Sequence, residues 1–122
     1  VPIDVSAYDI PKRLKDGGDT PATSYTSVFG TTEAEQREWS PVIYVAKDKG
    51  IPPFLLLHVA SRDSTTTQAH WLASKLHEIS VGARVVAAEG KTHGTISTDL
   101  GGAEDPPTIE LWKFLDEVTP RP

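Results

Sequence analysis

The stretch Phe54-Leu55-Leu56-Leu57-His58-Val59 decides the fold of this chain. Its apolar residues do not alternate with polar ones, which is typical of a parallel strand buried on both faces. The segment Ala83-Arg84-Val85-Val86-Ala87-Ala88 reads as a second strand of the same kind. Between the two, apolar residues recur at helical spacing, at Ala69, Leu72, Ala73, Leu76 and Ile79. Strand, helix and strand form one βαβ unit.

The rest of the chain extends this unit on both sides. Residues 1–6 are β-branched and alternating, which predicts a third parallel strand. Residues 7–50 read as an excursion of short helices and turns, whereas residues 51–122 carry strand, helix, strand and helix. Pro106-Pro107 starts the last helix, which the stripe Ile109, Trp112 and Leu115 marks. The chain is therefore predicted to be one α/β domain over residues 1–122, with about three parallel strands and flanking helices.

Composition excludes several function classes. A hydrophobic fraction of 38% and a charged fraction of 24% are those of an ordinary folded domain. The net charge of −5 and the scattered Lys and Arg residues argue against a nucleic-acid partner. No apolar run approaches the roughly 20 residues of a membrane span. Without cysteine, disulfides and thiolate chemistry are excluded. No glycine-rich phosphate loop and no zinc-ligand spacing of histidines occurs, so neither a cofactor nor a metal is expected.

Two polar residues follow the two apolar strands. Asp63 comes shortly after the first strand, and His93 lies on a loop bordered by Gly90 and Gly94 after the second. The carboxyl ends of neighbouring parallel strands meet at one edge of a sheet, where catalytic groups gather. A carboxylate and an imidazole in contact there can act as orienter and base. The alternatives are that Asp63 only caps the helix that follows, and that His93 is a solvated loop residue.

Two segments carry a resemblance to a known family. Ile51-Pro52-Pro53-Phe54-Leu55-Leu56-Leu57-His58-Val59-Ala60 and Gly90-Lys91-Thr92-His93-Gly94-Thr95-Ile96 resemble α/β-hydrolases, in particular bacterial carboxylesterases and lipases. The resemblance is to the carboxyl-terminal half of that fold. It implies that Asp63 is the triad acid and His93 the triad base. The chain departs from the family pattern because the usual His-Gly-x-x-Asp is here His58-Val59-Ala60-Ser61-Arg62-Asp63.

The resemblance also implies what this chain lacks. No Gly-x-Ser-x-Gly elbow is present, so the nucleophilic serine and the oxyanion hole are expected on a preceding segment. We therefore expect the carboxyl-terminal part of a serine esterase that acts on small-molecule esters and is inactive by itself. Tyr8 is a candidate substrate-lining residue, with a purely structural role equally open.

A non-catalytic alternative also follows from the strand pattern. If both long helices cover the same face of the sheet, an apolar face and edge stay exposed. Such a surface is expected to pair with the missing segment or with a second copy of the chain. The alternative function is therefore an interaction module that recruits its partner through the exposed sheet edge. A small independent enzyme that uses Asp63 and His93 with water is the least favoured interpretation.

Overall fold

The computed structural model describes residues 1–119, so the last three residues of the predicted domain lie outside the described residues. Six α-helices, two strands and one 3-10 turn follow one another in this part of the chain. Their bounds are α1 Ile10–Asp16, α2 Ala22–Phe29, α3 Glu33–Glu38, the 3-10 turn Pro41–Tyr44, β1 Phe54–Val59, α4 Asp63–Glu78, β2 Ala83–Ala88, α5 Thr95–Thr98 and α6 Pro106–Val118.

The strands β1 and β2 pair in parallel, from Phe54 opposite Ala83 to Val59 opposite Ala88. The crossover between them is α4, as the periodicity of the sequence predicts. Helices flank this parallel sheet, so the α/β class is confirmed. In β1, Leu55, Leu56 and Leu57 are almost completely buried. Burial of each such side chain contributes roughly 1.5–3 kcal/mol, which makes this strand the centre of the fold.

The predicted third strand is reduced to one bridge among the described residues. Ile3 pairs in parallel with Leu57. The backbone N–H of Asp4 donates to Leu57 at 2.7 Å, and that of Leu57 donates to Pro2 at 3.1 Å. Asp4 then has a φ of 51°, which ends the extended conformation. The described sheet therefore has two strands and a bridged segment instead of three strands.

The two long helices cover opposite faces of the sheet. Leu56 packs against Ala69, Leu72, Ala73 and Leu76 of α4. On the other face, Leu55, Leu57 and Val59 pack with Ile96 of α5 and Phe114 of α6. Side chains of successive residues in a strand point to opposite faces, so neighbouring leucines serve the two layers. The expectation that both long helices lie on one face is wrong.

The excursion over residues 7–50 is fastened to α4. Asp9 caps α1, and its backbone N–H and C=O both bond the Gln68 side chain, at 2.8 and 3.1 Å. Ser40 accepts a hydrogen bond from the backbone N–H of Ile10. Pro11 lies in the first turn of α1, where its missing N–H is not needed. The bonds of Asp9 with Gln68 fix the start of α1 beside the second turn of α4.

Candidate functional site

The candidate site lies where β1, β2 and the bridged segment reach their carboxyl ends. Asp4 follows the bridging residue Ile3, Arg62 follows β1, and His93 lies on the loop after β2. Their side chains meet in one hydrogen-bonded group. A carboxylate and an imidazole therefore meet at the edge of the sheet that the sequence predicts for them.

Asp4 is the buried centre of this group. Its residue is only 2% exposed, and its Oδ1 accepts the backbone N–H of Val59 at 2.9 Å. Its Oδ2 accepts from Arg62 Nη1 at 2.5 Å and lies 2.7 Å from Nδ1 of His93. Burial alone would raise the pKa of the Asp4 carboxyl. Hydrogen bonds from Val59, Thr65, His93 and Arg62 outweigh burial and lower that pKa to about 2.

The contact with Asp4 selects one tautomer of His93. An ionised carboxylate only accepts hydrogen bonds, so Nδ1 of the imidazole must carry the proton that points at Asp4. Nε2 of the neutral ring then has a free lone pair and can take up a proton. The His93 side chain is 70% exposed, so this nitrogen is open to a reacting group. Position and tautomer are those of a general base.

Arg62 fastens the pair to the loop after α1. Its Nε and Nη2 donate to Oδ2 of Asp19 at 3.0 and 2.8 Å, while Nη1 bonds Asp4. Desolvation alone would lower the pKa of Arg62, but the hydrogen bonds to Asp19 and Asp4 raise it. Nη1 also lies 3.0 Å from Nδ1 of His93. Because Nδ1 carries a proton, this second approach is a close contact between two donors that share one carboxylate oxygen.

Asp63 occupies a different position from the one that a triad requires. It is the first residue of α4, it is exposed, and it borders a small cavity with Gly18, Asp19 and Arg62. Within residues 1–119, no hydrogen bond or ion pair joins Asp63 to His93. The bond that the sequence assigns to Asp63 is made by Asp4 instead. A triad role for Asp63 would require it to replace Asp4 at Nδ1, and stays a prediction.

Tyr8 is a core residue that borders an apolar cavity. It is 5% exposed and packs with Leu56 and Leu72. Burial, followed by the negative charge of Asp4, raises the pKa of its hydroxyl group. The cavity has a volume of about 400 Å³ and is lined almost entirely by apolar atoms. The position of Tyr8 fits both a structural role and a substrate-lining role, because its side chain packs in the core and also borders the apolar cavity.

The other histidines are not part of this group. His58 is 3% exposed, and its Nδ1 lies 2.9 Å from Oγ1 of Thr66. His77 bonds the carbonyl of Ala83 at 2.9 Å. In the part of the chain that the structure describes, no three His, Asp or Glu side chains are grouped to hold a metal ion. Over the same residues, no helix has the length and apolar character that crossing a membrane requires.

Comparisons with known proteins give no relative. No protein-family model, no curated protein and no solved structure matches this chain.

The residue that sequence reasoning missed is Asp4. It is the acid inside the apolar segment 1–6, directly after the residue that bridges to β1. An acid that interrupts an alternating apolar segment near its carboxyl end is a recognisable signal. The resemblance assigns the role of the acid to Asp63, which follows β1, and not to Asp4.

Proposed function

We propose that this chain supplies the histidine and the orienting carboxylate of a serine carboxylic-ester hydrolase with an α/β-hydrolase fold. The observation that carries the proposal is the 2.7 Å contact between Oδ2 of Asp4 and Nδ1 of an exposed His93. In this proposal Asp4 takes the role that the resemblance assigns to Asp63. The parallel sheet and the position of the pair at its carboxyl edge support the choice of fold.

The catalytic step uses a serine from another polypeptide segment. None of the serines in residues 1–119 bonds His93, and the only described side chains in contact with its Nδ1 are Asp4, which accepts its proton, and Arg62. As the serine Oγ attacks the ester carbonyl carbon, Nε2 of His93 takes the hydroxyl proton. Asp4 stabilises the imidazolium that forms. When the C–O bond to the alcohol breaks, the imidazolium returns the proton to the departing oxygen, which leaves the acyl-enzyme.

The partner segment has a surface to occupy. The backbone bonds of the bridge use Asp4 and Pro2, while no backbone hydrogen bond of Ile3 itself occurs among the described residues. The apolar cavity of about 400 Å³ is bordered by Pro2 and Tyr44, and Tyr44 is 60% exposed. Unpaired strand edges and exposed apolar patches tend to bind other polypeptide segments. This surface also favours the alternative function, an interaction module that pairs through its sheet edge without catalysis.

Active-site labelling of a tagged chain, purified from cells of its source, separates the two functions. A fluorophosphonate that reacts with activated serines should leave residues 1–122 unlabelled and label a serine on a preceding segment or on a co-purifying chain, as peptide mapping of the labelled protein would show. The His93→Gln variant should abolish that labelling, and the His77→Gln variant should retain it. His77 is the matched control because it is a histidine outside the Asp4 group.

Three outcomes would contradict the hydrolase proposal. These are labelling within residues 1–122, labelling that His93→Gln leaves unchanged, and no labelled serine either on a preceding segment or on a co-purifying chain. The last result together with a stable homodimer in size-exclusion chromatography would support the interaction module.

A further inference from the structure

A second charged group lies beside the Asp4 group, in helix α1. Arg13 is 2% exposed, and two of its side-chain nitrogens, Nε and Nη2, have no hydrogen-bond partner. The third, Nη1, donates to the carbonyl of Gly17. A buried donor without a partner destabilises the folded chain, so an arginine in this state has unused capacity for an acceptor.

The two free nitrogens lie on one edge of the guanidinium. Nε and Nη2 carry parallel N–H bonds, and this edge matches the two oxygens of a carboxylate. One face of the group is covered by the ring of Tyr25, whose centroid lies 5.1 Å from Cζ. Gly18 lies close on the group as well, since a Cβ there would be 2.6 Å from Nη2. The group is therefore held in place, and the Nε–Nη2 edge has no hydrogen-bond acceptor, with Oδ1 of Asp19 3.6 Å from Nη2.

A cavity adjoins this arginine. It has a volume of about 180 Å³ and is bordered by Arg13, Gly17, Gly18 and the first two turns of α4. The N-cap residue Arg62 gives α4 no side-chain hydrogen bond, so the first turn keeps free N–H groups. A 16-residue helix also presents partial positive charge at this end. Buried guanidinium and helix end thus both border one space.

Three carboxylates lie near this space and set its net charge. Asp16 is paired with Lys12 at 2.8 Å. Asp19 gives Oδ2 to Arg62 and Oδ1 to Ser64, which leaves only a 3.6 Å approach to Nη2 of Arg13. Asp63 is exposed, so water screens its charge. Arg13 therefore has no carboxylate of its own within hydrogen-bond distance.

We propose that Arg13 and the start of α4 form a binding site for the carboxylate group of a small molecule. Nε and Nη2 bind its two oxygens after the exposed Gly17-Gly18 segment moves aside. A neighbouring cavity is bordered by Gly18, Asp63 and Arg62, and Arg62 contacts both members of the Asp4–His93 pair. If the proposed esterase function holds, the ester substrate carries a carboxylate group in addition to its reacting ester. That last step rests on the proposed function, whereas carboxylate binding does not.

Titration of the intact chain with succinate tests the site directly. The Arg13 Nε–H signal in ¹⁵N NMR spectra should move and saturate as succinate is added at constant ionic strength. The corresponding signals of Arg37 and Arg84, which are exposed and paired with glutamates, should not follow a saturable curve. Arg13→Lys keeps the charge but loses the bidentate edge, and should weaken succinate binding at least tenfold. Arg37→Lys is the matched control and should bind as the wild type does.

The result that overturns the proposal is specific to Arg13. An Arg13 signal that does not saturate, or saturable changes shared equally by all three arginines, would refute the carboxylate site. If Arg13→Lys does not fold, the wild-type titration alone decides. Failure of succinate binding with His93-dependent fluorophosphonate labelling intact would remove the carboxylate site and leave the esterase. The reverse pattern would remove the esterase and leave the site.

Discussion

At the scale of single residues, Asp4 accounts for most of the site's geometry. One carboxylate accepts from the backbone after β1, from Arg62 and from His93, although these groups are far apart in the chain. Such a carboxylate must stay ionised, because its protonated form could not accept all of these bonds. The hydrogen bonds that lower its pKa therefore also hold the geometry of the Asp4 group in place.

The lowered pKa of Asp4 predicts a loss of stability in acid. Its pKa is about 2 in the folded chain against 3.8 for the ordinary group. The bonded carboxylate therefore contributes fully above about pH 5, and its contribution falls as the pH drops from about 4 to about 2. The loss is on the order of 2 kcal/mol. Urea unfolding at a series of pH values should show it, and Asp4→Asn should have a shallower dependence. Equal dependences in the two proteins would contradict the assignment.

At the scale of elements, the loop after β2 is held by α6. Asp105 caps α6 by accepting from the N–H and the hydroxyl of Thr108, at 3.0 and 2.6 Å. Lys91, two residues before His93, lies 2.7 Å from both Asp105 and Asp99. The hydrogen bond to Lys91, followed by those from Thr108, lowers the pKa of Asp105. The start of this helix thus also restrains the histidine loop.

Loss of the Asp105 cap should lower the free energy of unfolding more than loss of the exposed Lys91–Asp99 ion pair. Asp105→Ala leaves the 1% exposed Thr108 with unsatisfied donors, and should lower the free energy of unfolding by about 2 kcal/mol. Asp99→Ala, the matched control, removes the other carboxylate partner of Lys91 and should cost less than about 0.5 kcal/mol. Denaturant unfolding measures both. Equal losses would mean that the ion pairs, and not the cap, hold the loop.

Sequence periodicity predicts where α6 occurs but not which side it buries. Ile109 and Trp112 are 40% and 60% exposed, whereas Phe114 is 8% exposed and packs on the sheet. Ile109, Trp112 and Leu115 form one apolar stripe at helical spacing, and Leu111 and Phe114 lie on another. Only the position of the sheet decides which of the two is buried. For β1 there is no such choice, because the strand is apolar on both sides. The strands and crossover helix were therefore predictable, and the packing of α6 was not.

At the scale of the whole molecule, the site depends on contacts between residues 89 positions apart. The edge of the sheet was predictable, because parallel strands place their carboxyl ends together. The partner of His93 was not, since the sequence offers two acids, Asp4 within the apolar segment 1–6 and Asp63 after β1. The choice of Asp4 follows from the bridge between Ile3 and Leu57, which brings residue 4 to the end of β1. The sequence predicts that residues 1–6 pair in the sheet, but not the register that sets Ile3 opposite Leu57.

The tautomer of His93 tests the proposed base most directly. Two-bond ¹H–¹⁵N spectra of the neutral imidazole distinguish a proton on Nδ1 from one on Nε2. We expect Nδ1–H in the wild type and in Asp63→Asn. In Asp4→Asn the amide should donate to Nδ1 and move the ring proton to Nε2. Nε2–H in the wild type, or a switch in Asp63→Asn but not in Asp4→Asn, would contradict the central role of Asp4.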